Sequence, residues 1–431
     1  MPIRKKQAQR LIAMCAAAVA FVLGMGARAI CRTAQIESLH QAQIVLWAFS
    51  VVVLLCVMAE FLISNRAYKG LRYFWQYWTT KNRLEKQMLD AGFGIERSYY
   101  TSLPKIYLSF NNDFSSGTLK LRNSIKFDKR LDDIVMSAAL GKYIVEYHNP
   151  THDNNYYVFH LIDGSASFKS VFEAYSDFQK YNSQMGPYEL FIDKRTHVKL
   201  QHSLIVGQTG SGKTVFTHNL ILQMINKHID YELYFADPKG SSLAVLGDAI
   251  DEDKTAADFD LIVELLKEFV QKMRKRKIEM KSLLKKRLDA DYTTFELSPH
   301  VFIFDEYASF ASILASQEKK QRDAVKALLY EVILQGRQLG FFVFITMQKS
   351  DATLLDTALR DNLPLKIVLG NAEQQTYVTA FGYADIPNRD YAVGEGVFTE
   401  PTLAHEPKLV QCPYCQFDIL EAVYGDKAEP G

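Results

Sequence analysis

Residues 207–214, GQTGSGKT, follow directly on the apolar run SLIV, and no other stretch limits the fold as tightly. Gly207, Gly212, Lys213 and Thr214 satisfy the G-x-x-x-x-G-K-[ST] spacing of a phosphate-binding loop at every fixed position. Such a loop needs a strand before it and a helix after it, and the flanking residues supply both. Gly210 and Gly212 let the backbone wrap close to phosphate oxygens, with N–H groups and the helix amino terminus supplying positive potential. Gly207, Gln208, Thr209, Gly210, Ser211, Gly212, Lys213 and Thr214 are therefore the expected nucleotide cradle. Within it Lys213 is expected to neutralise charge on the β- and γ-phosphates of ATP, and the Thr214 hydroxyl to ligate Mg2+.

The same pattern continues along the chain. After HSLIV and a helix expected over Thr214–Lys227 come YELYFA, HVFIFDE, FFVFIT and LKIVL, short apolar runs separated by helical sequence. That predicts a mostly parallel sheet covered on both faces, the RecA-like α/β core of a P-loop motor. Hydrolysis needs a carboxylate pair beside the phosphates, and VFIFDE ends in one. Asp305 is expected to orient the magnesium shell and Glu306 to polarise the attacking water. The extra strand ending in YFAD and the polar TMQKS after a later strand point to the branch of P-loop ATPases that uses such a glutamate, with Gln348 as a γ-phosphate sensor.

The amino-terminal region has a different character. Two apolar segments, about 11–27 and 44–63, have the length needed to cross a bilayer core. Basic residues flank both outer ends, Arg4, Lys5, Lys6 and Arg10 on one side and Arg66, Lys69 and Arg72 on the other, so both termini are expected in the cytoplasm. The expected organisation is a transmembrane hairpin over 1–65, a juxtamembrane helix and small α+β connecting domain over 66–190, the ATPase motor over 191–411 and a tail over 412–431. In the connecting domain KIYLSF, KYIVEYH and YYVFHLI are expected strands, and His148, His152 and His160 are too sparse for a metal site. Cys412 and Cys415 have metal-ligand spacing but lack a second pair, and His405 is poorly spaced to complete one, so two reduced thiols are expected, with a structural zinc shared between subunits as the alternative.

A hydrophobic content of 48% excludes disorder, and a formal charge of +1 gives no global attraction to a polyanion. Any nucleic-acid contact must come from a local patch. Between Lys272 and Arg287 nine of sixteen residues are Lys or Arg, with Glu279 the one acid. Arg274, Lys275, Arg276 and Lys277 are the candidate DNA contacts, on a helix whose apolar stripe is Leu266, Phe269, Met273, Met280 and Leu284. A solvated helix face or attraction to anionic lipid fits the same run.

These residues carry a resemblance. The region 185–400 resembles the motor domain of the FtsK/SpoIIIE family of DNA translocases, within the HerA-type group. Asp237-Pro238-Lys239 matches the family's D-P-K, Arg337 and Gly340 its R-x-x-G, Gln348 its glutamine after the sensor strand, and Asn362-Leu363-Pro364 its N-[IL]-P. Lys349 and Lys366 stand where the family usually has arginines, and lysine cannot make the planar two-pronged contact. The resemblance implies a hexameric motor with an arginine inserted in trans, Arg337 by preference and Arg360 second. With no long Pro/Gln-rich linker and too little chain after residue 400 for a winged-helix module, it is most similar to the coupling proteins of Gram-positive conjugative elements. That implies DNA, a lipid bilayer, further copies of the chain and a relaxase or secretion channel as partners. Chromosome partitioning, a protein-export motor and a non-hydrolysing docking receptor are the alternatives.

Overall fold

The computed structural model of the 431-residue chain describes residues 5–34, 37–96, 100–132, 134, 136–350, 355–382, 386 and 389–428. Arg4 and the side chains of Lys5 and His405 lie outside the described set. The chain divides into two compact units, Met1–Ala166 and Ser167–Gly431.

In the first unit α1 (Lys5–Ala34) and α2 (Glu37–Ser64) form an antiparallel hairpin. Over Lys6–Arg32 and Leu39–Ser64 both are long and apolar enough to cross a membrane. Phe21 stacks on Trp47 at 5.8 Å, and at the outer end Arg10 pairs with Glu60 at 2.6 Å. The next helix, α3 (Leu71–Asp90), buries Tyr73, Tyr77, Leu84 and Met88, which its 3.6-residue period puts on one stripe. That stripe shares a core with an antiparallel sheet of β1 (Ile106–Phe110), β2 (Ser116–Arg122), β3 (Tyr143–Pro150) and β4 (Tyr156–Asp163), in the order β1-β2-β4-β3. His148 and His160 stack on Phe159 and Tyr147 across β3 and β4.

The second unit is built on an eight-stranded mixed sheet. Its elements are β5 (Ser203–Gly207), α4 (Lys213–Ile225), β6 (Glu232–Ala236), α5 (Ser242–Asp251), β7 (Thr255–Ala256), α6 (Phe259–Leu284), β8 (His300–Phe304), α7 (Tyr307–Ser316), α8 (Lys319–Leu339), β9 (Phe341–Met347), β10 (Leu365–Leu369), β11 (Glu395–Glu400) and β12 (Ala404–Gln411). The order is β7-β6-β8-β9-β5-β10-β11-β12. Neighbours from β7 to β10 run parallel, and β11 and β12 add antiparallel pairs. Every residue of β5, β8 and β9 is buried, which explains why these strands read as unbroken apolar runs rather than alternating ones. The sequence-expected helix over Thr214–Lys227 begins one residue earlier and ends two earlier, at Ile225.

The register fixes where the chemistry sits. Val206 is paired with Met347 and Phe304 with Ile345, so the carboxyl ends of β5, β8 and β9 lie level. Gly207, Asp305, Glu306 and Gln348 all fall just there. At the other end of β9, helix α8 stops at Gly340, whose φ of +79° is the left-handed turn that closes a helix. Elsewhere in the unit Tyr414–Cys415 pairs with Val171–Phe172, and both Cys412 and Cys415 are buried in the core. Asn219 donates to Cys415 Sγ, and burial pushes that thiol up to about 11.

Candidate active site

The loop after β5 curls over a cavity of about 410 Å³ lined by Gln208, Thr209, Gly210, Gly212, Lys213 and Thr214 on one side and by Lys239, Ser241, Asp305, Glu306 and Gln348 on the other. The curl depends on Gly212, with φ of +94°; a Cβ there would lie 2.9 Å from the Gly394 nitrogen. Gly394 in turn donates to the Ser211 carbonyl, so the chain entering β11 buttresses the loop. Helix α4 starts at Lys213, aiming its amino terminus at the cavity.

The charged groups converge. Lys213 Nζ lies 3.8 Å from Asp305 Oδ1 and 3.8 Å from Glu306 Oε2, and 3.4 Å from Thr346 Oγ1. Thr346, fully buried, donates to Asp305 Oδ1 and accepts from the Glu306 N–H at 3.2 Å. Glu306 sits in the left-handed region at φ +46°, a conformation that costs a non-glycine residue energy and that the Thr346 bond helps to hold. The Gln348 N–H faces Glu306 Oε1 at 3.4 Å. Two carboxylates, an ammonium and a row of loop N–H groups around one cavity can hold a polyphosphate and deliver a base to it.

Sequence reasoning singled out the loop, Asp305, Glu306 and Gln348, and the structure brings these together. It did not find Thr346, although a lone hydroxyl inside the apolar run FFVFITM was a signal. Arg337 stands elsewhere. It lies in the last turn of α8, before the amino end of β9, whereas Gln348 follows the carboxyl end. Six steps of strand separate those ends by about 20 Å. Arg337 lines a separate groove with Lys277, Leu284 and Gln338. Arg360 and Lys366 likewise lie at the amino end of β10, and burial draws the Lys366 ammonium down. Lys349 pairs with Glu373 at 2.6 Å.

The basic run is partly paired with neighbouring elements. Arg274 is bound two-pronged by Glu331, Lys277 donates to Gln335, and Arg276 turns inward to the Ser298 and Leu339 carbonyls and the Phe341 ring. Of the four candidate DNA contacts, Lys275 is exposed and, among the described residues, makes no such bond to a neighbouring element; Lys281, Lys285, Lys286 and Arg287 further along are exposed as well. The division has a simple cause: the run lies where α6 packs on α8, and Arg274, Arg276 and Lys277 bond to that partner.

The loop, the carboxylate pair and the intervening strand β9 thus stand in one register. Residues 184–351 match the FtsK/SpoIIIE family. Over 184 residues, 43% of this chain, it is 30% identical to the FtsK domain-containing protein YdcQ of Bacillus subtilis, and over 242 residues, 53% of this chain, 24% identical to the DNA translocase FtsK of Clostridium tetani. Those alignments cover 37% and 31% of the two relatives, so the chain spans about a third of the length of the curated relatives it matches. Among solved structures, the pCW3 conjugation coupling protein TcpA, determined in a monomer form with ATPγS, superposes with a TM-score of 0.51 at 14% identity, covering 81% of this chain and 99% of that one. The FtsK/SpoIIIE-type region thus carries a P-loop ATPase fold, as its motifs led one to expect.

Proposed function

We propose that this chain is a membrane-anchored, ATP-driven DNA translocase that serves as a coupling protein in conjugative DNA transfer. The observation that carries the reading is the convergence of Lys213, Asp305 and Glu306 on one cavity within an FtsK/SpoIIIE-type region. Likeness to TcpA over 81% of the chain supports the coupling role, the apolar hairpin supports a two-helix anchor, and the basic residues flanking its outer ends support both termini and the motor on the cytoplasmic side.

In this reading the loop from Gly207 to Thr214 cradles ATP, Lys213 offsets charge on the β- and γ-phosphates, Glu306 takes the proton of the attacking water and Gln348 reports the γ-phosphate. Mg2+ fits the oxygen donors present: Thr214 and Asp305 line the same cavity, with Asp305 steadied by Thr346. When bound there it would neutralise phosphate charge as bonds change. Arg337 completes a neighbour's site in a hexameric ring, which requires that the amino edge of one sheet meet the carboxyl edge of the next. DNA is tracked through its phosphates by exposed basic residues of the 272–287 run, independently of sequence.

The test is ATP turnover by the full chain in detergent micelles, with and without duplex and single-stranded DNA across a salt series. Lys213→Ala should abolish turnover, and Glu306→Gln should lower kcat by about 10²-fold or more while nucleotide still binds. DNA should raise the rate, less so as salt increases. Turnover indifferent to DNA in an assembled protein would favour the protein-export reading, and unchanged function in Glu306→Gln would favour a docking receptor that only binds nucleotide.

A further inference from the structure

Glu306, the expected base, already faces two ammonium groups and a backbone N–H. Its Oε2 lies 3.4 Å from Lys239 Nζ and 3.8 Å from Lys213 Nζ, and its Oε1 faces the Gln348 N–H. Both ammonium groups stand on the Oε2 side of the carboxylate, so moving Lys239 aside opens lone-pair positions there to an approaching water.

Lys239 is held there by a loop built for the purpose. Asp237, fully buried, accepts from the N–H groups of Lys239 at 3.1 Å, Ser241 at 2.7 Å and Ala244 at 3.3 Å, and from the Ser241 hydroxyl at 2.7 Å. Those four bonds fix the backbone beneath Lys239 and leave the four-carbon stem as the moving part. The Lys239 side chain remains 48% exposed beside the phosphate loop, so its ammonium can also meet an anion entering the cavity.

We propose that Lys239 is a positioning switch shared between Glu306 and the γ-phosphate. It holds Glu306 until a triphosphate arrives, then turns to the terminal phosphate and releases the carboxylate to the attacking water. ADP lacks that phosphate and leaves the Lys239–Glu306 pair intact. The site would thereby distinguish ATP from ADP before any chemistry, a task Lys213 cannot perform alone because its reach includes the β-phosphate that both nucleotides carry. The inference rests on the nucleotide-hydrolysis reading above.

Equilibrium titration of ATPγS and ADP into the full chain in detergent micelles tests it, using wild type, Lys239→Met, Lys239→Arg, Glu306→Gln and the Met/Gln double variant. Lys239→Met should weaken ATPγS roughly tenfold or more, the scale of one charge-assisted hydrogen bond, and leave ADP within about twofold. Lys239→Arg should recover most of the preference. Glu306→Gln, which removes the competing charge, should tighten ATPγS several-fold only where Lys239 is present, a coupling that the double variant reads directly. Equal losses for both nucleotides, or additive effects in the cycle, would overturn the switch while leaving ATP binding intact. Wild type that binds ATPγS no better than Lys213→Ala would overturn the hydrolysis reading, and the switch with it.

Discussion

Thr346 carries more of the site than any residue singled out from the motifs. Its hydroxyl has one donor and two acceptor positions, and the structure uses all three: it donates to Asp305, and accepts from the Glu306 N–H and from Lys213. Replacing it by valine preserves shape but strands a buried N–H, at a cost of about 1–3 kcal/mol in stability. Thr346→Val should also lower kcat by roughly tenfold with little change in nucleotide affinity, and Thr346→Ser should restore it. Steady-state turnover together with denaturant unfolding checks both parts; a valine variant with wild-type kcat would remove Thr346 from the positioning apparatus.

Among elements, α8 and β9 show how a helix is stopped so that a strand can start in register. Gly340 closes α8 in the left-handed region, and a Cβ there would lie 2.7 Å from the Tyr292 ring. The family-like R-x-x-G spacing thus has a packing reason. Gly340→Ala should cost about 1–3 kcal/mol through strain and overlap, read as a lowered Tm, while ATPγS binding survives because the phosphate loop lies at the far end of β9. Helix α6 carries the complementary lesson. Counting the nine basic residues of the 272–287 run, which begins in α6 and continues past its end, predicts a positive surface, yet Arg274, Arg276 and Lys277 are bound to neighbouring elements, because an apolar stripe on α6 faces α8 and the flanking charges must satisfy themselves there.

At the scale of the whole molecule, a buried histidine links the sheet to pH. His202, just before β5, accepts the Val343 N–H at 3.0 Å on Nδ1, and burial, with the nearby Arg337 charge, holds its imidazole down at about 3. An unfolded histidine titrates near 6.5. Between those values the unfolded chain binds the extra proton, so stability is present above about pH 6.5 and is lost as pH falls toward 3. From this residue alone the loss at pH 5 is about 2 kcal/mol. His202→Asn, whose amide oxygen can still accept from Val343, should flatten the fall in Tm between pH 7 and pH 5; an equally steep fall would place the acid sensitivity elsewhere.

The sequence by itself determined the phosphate loop, the strands that flank it, the carboxylate pair and the apolar hairpin. These are local: a glycine spacing, an apolar run ending in Asp-Glu and two long hydropathic stretches each dictate their own conformation within a few turns of chain. Tertiary structure alone decided what pairs with what. The register of β9 against β5 and β8 brought Thr346 beneath Asp305, the Asp237 turn delivered Lys239 to Glu306, and the entry to β11 set Gly394 against Gly212. Three charges of the basic run found partners only when α6 met α8, and Arg337 separated from the cavity only because helix α8 runs back to the amino edge of the sheet. Contacts between residues distant in sequence depend on strand order and register, which a one-dimensional pattern of polarity does not encode.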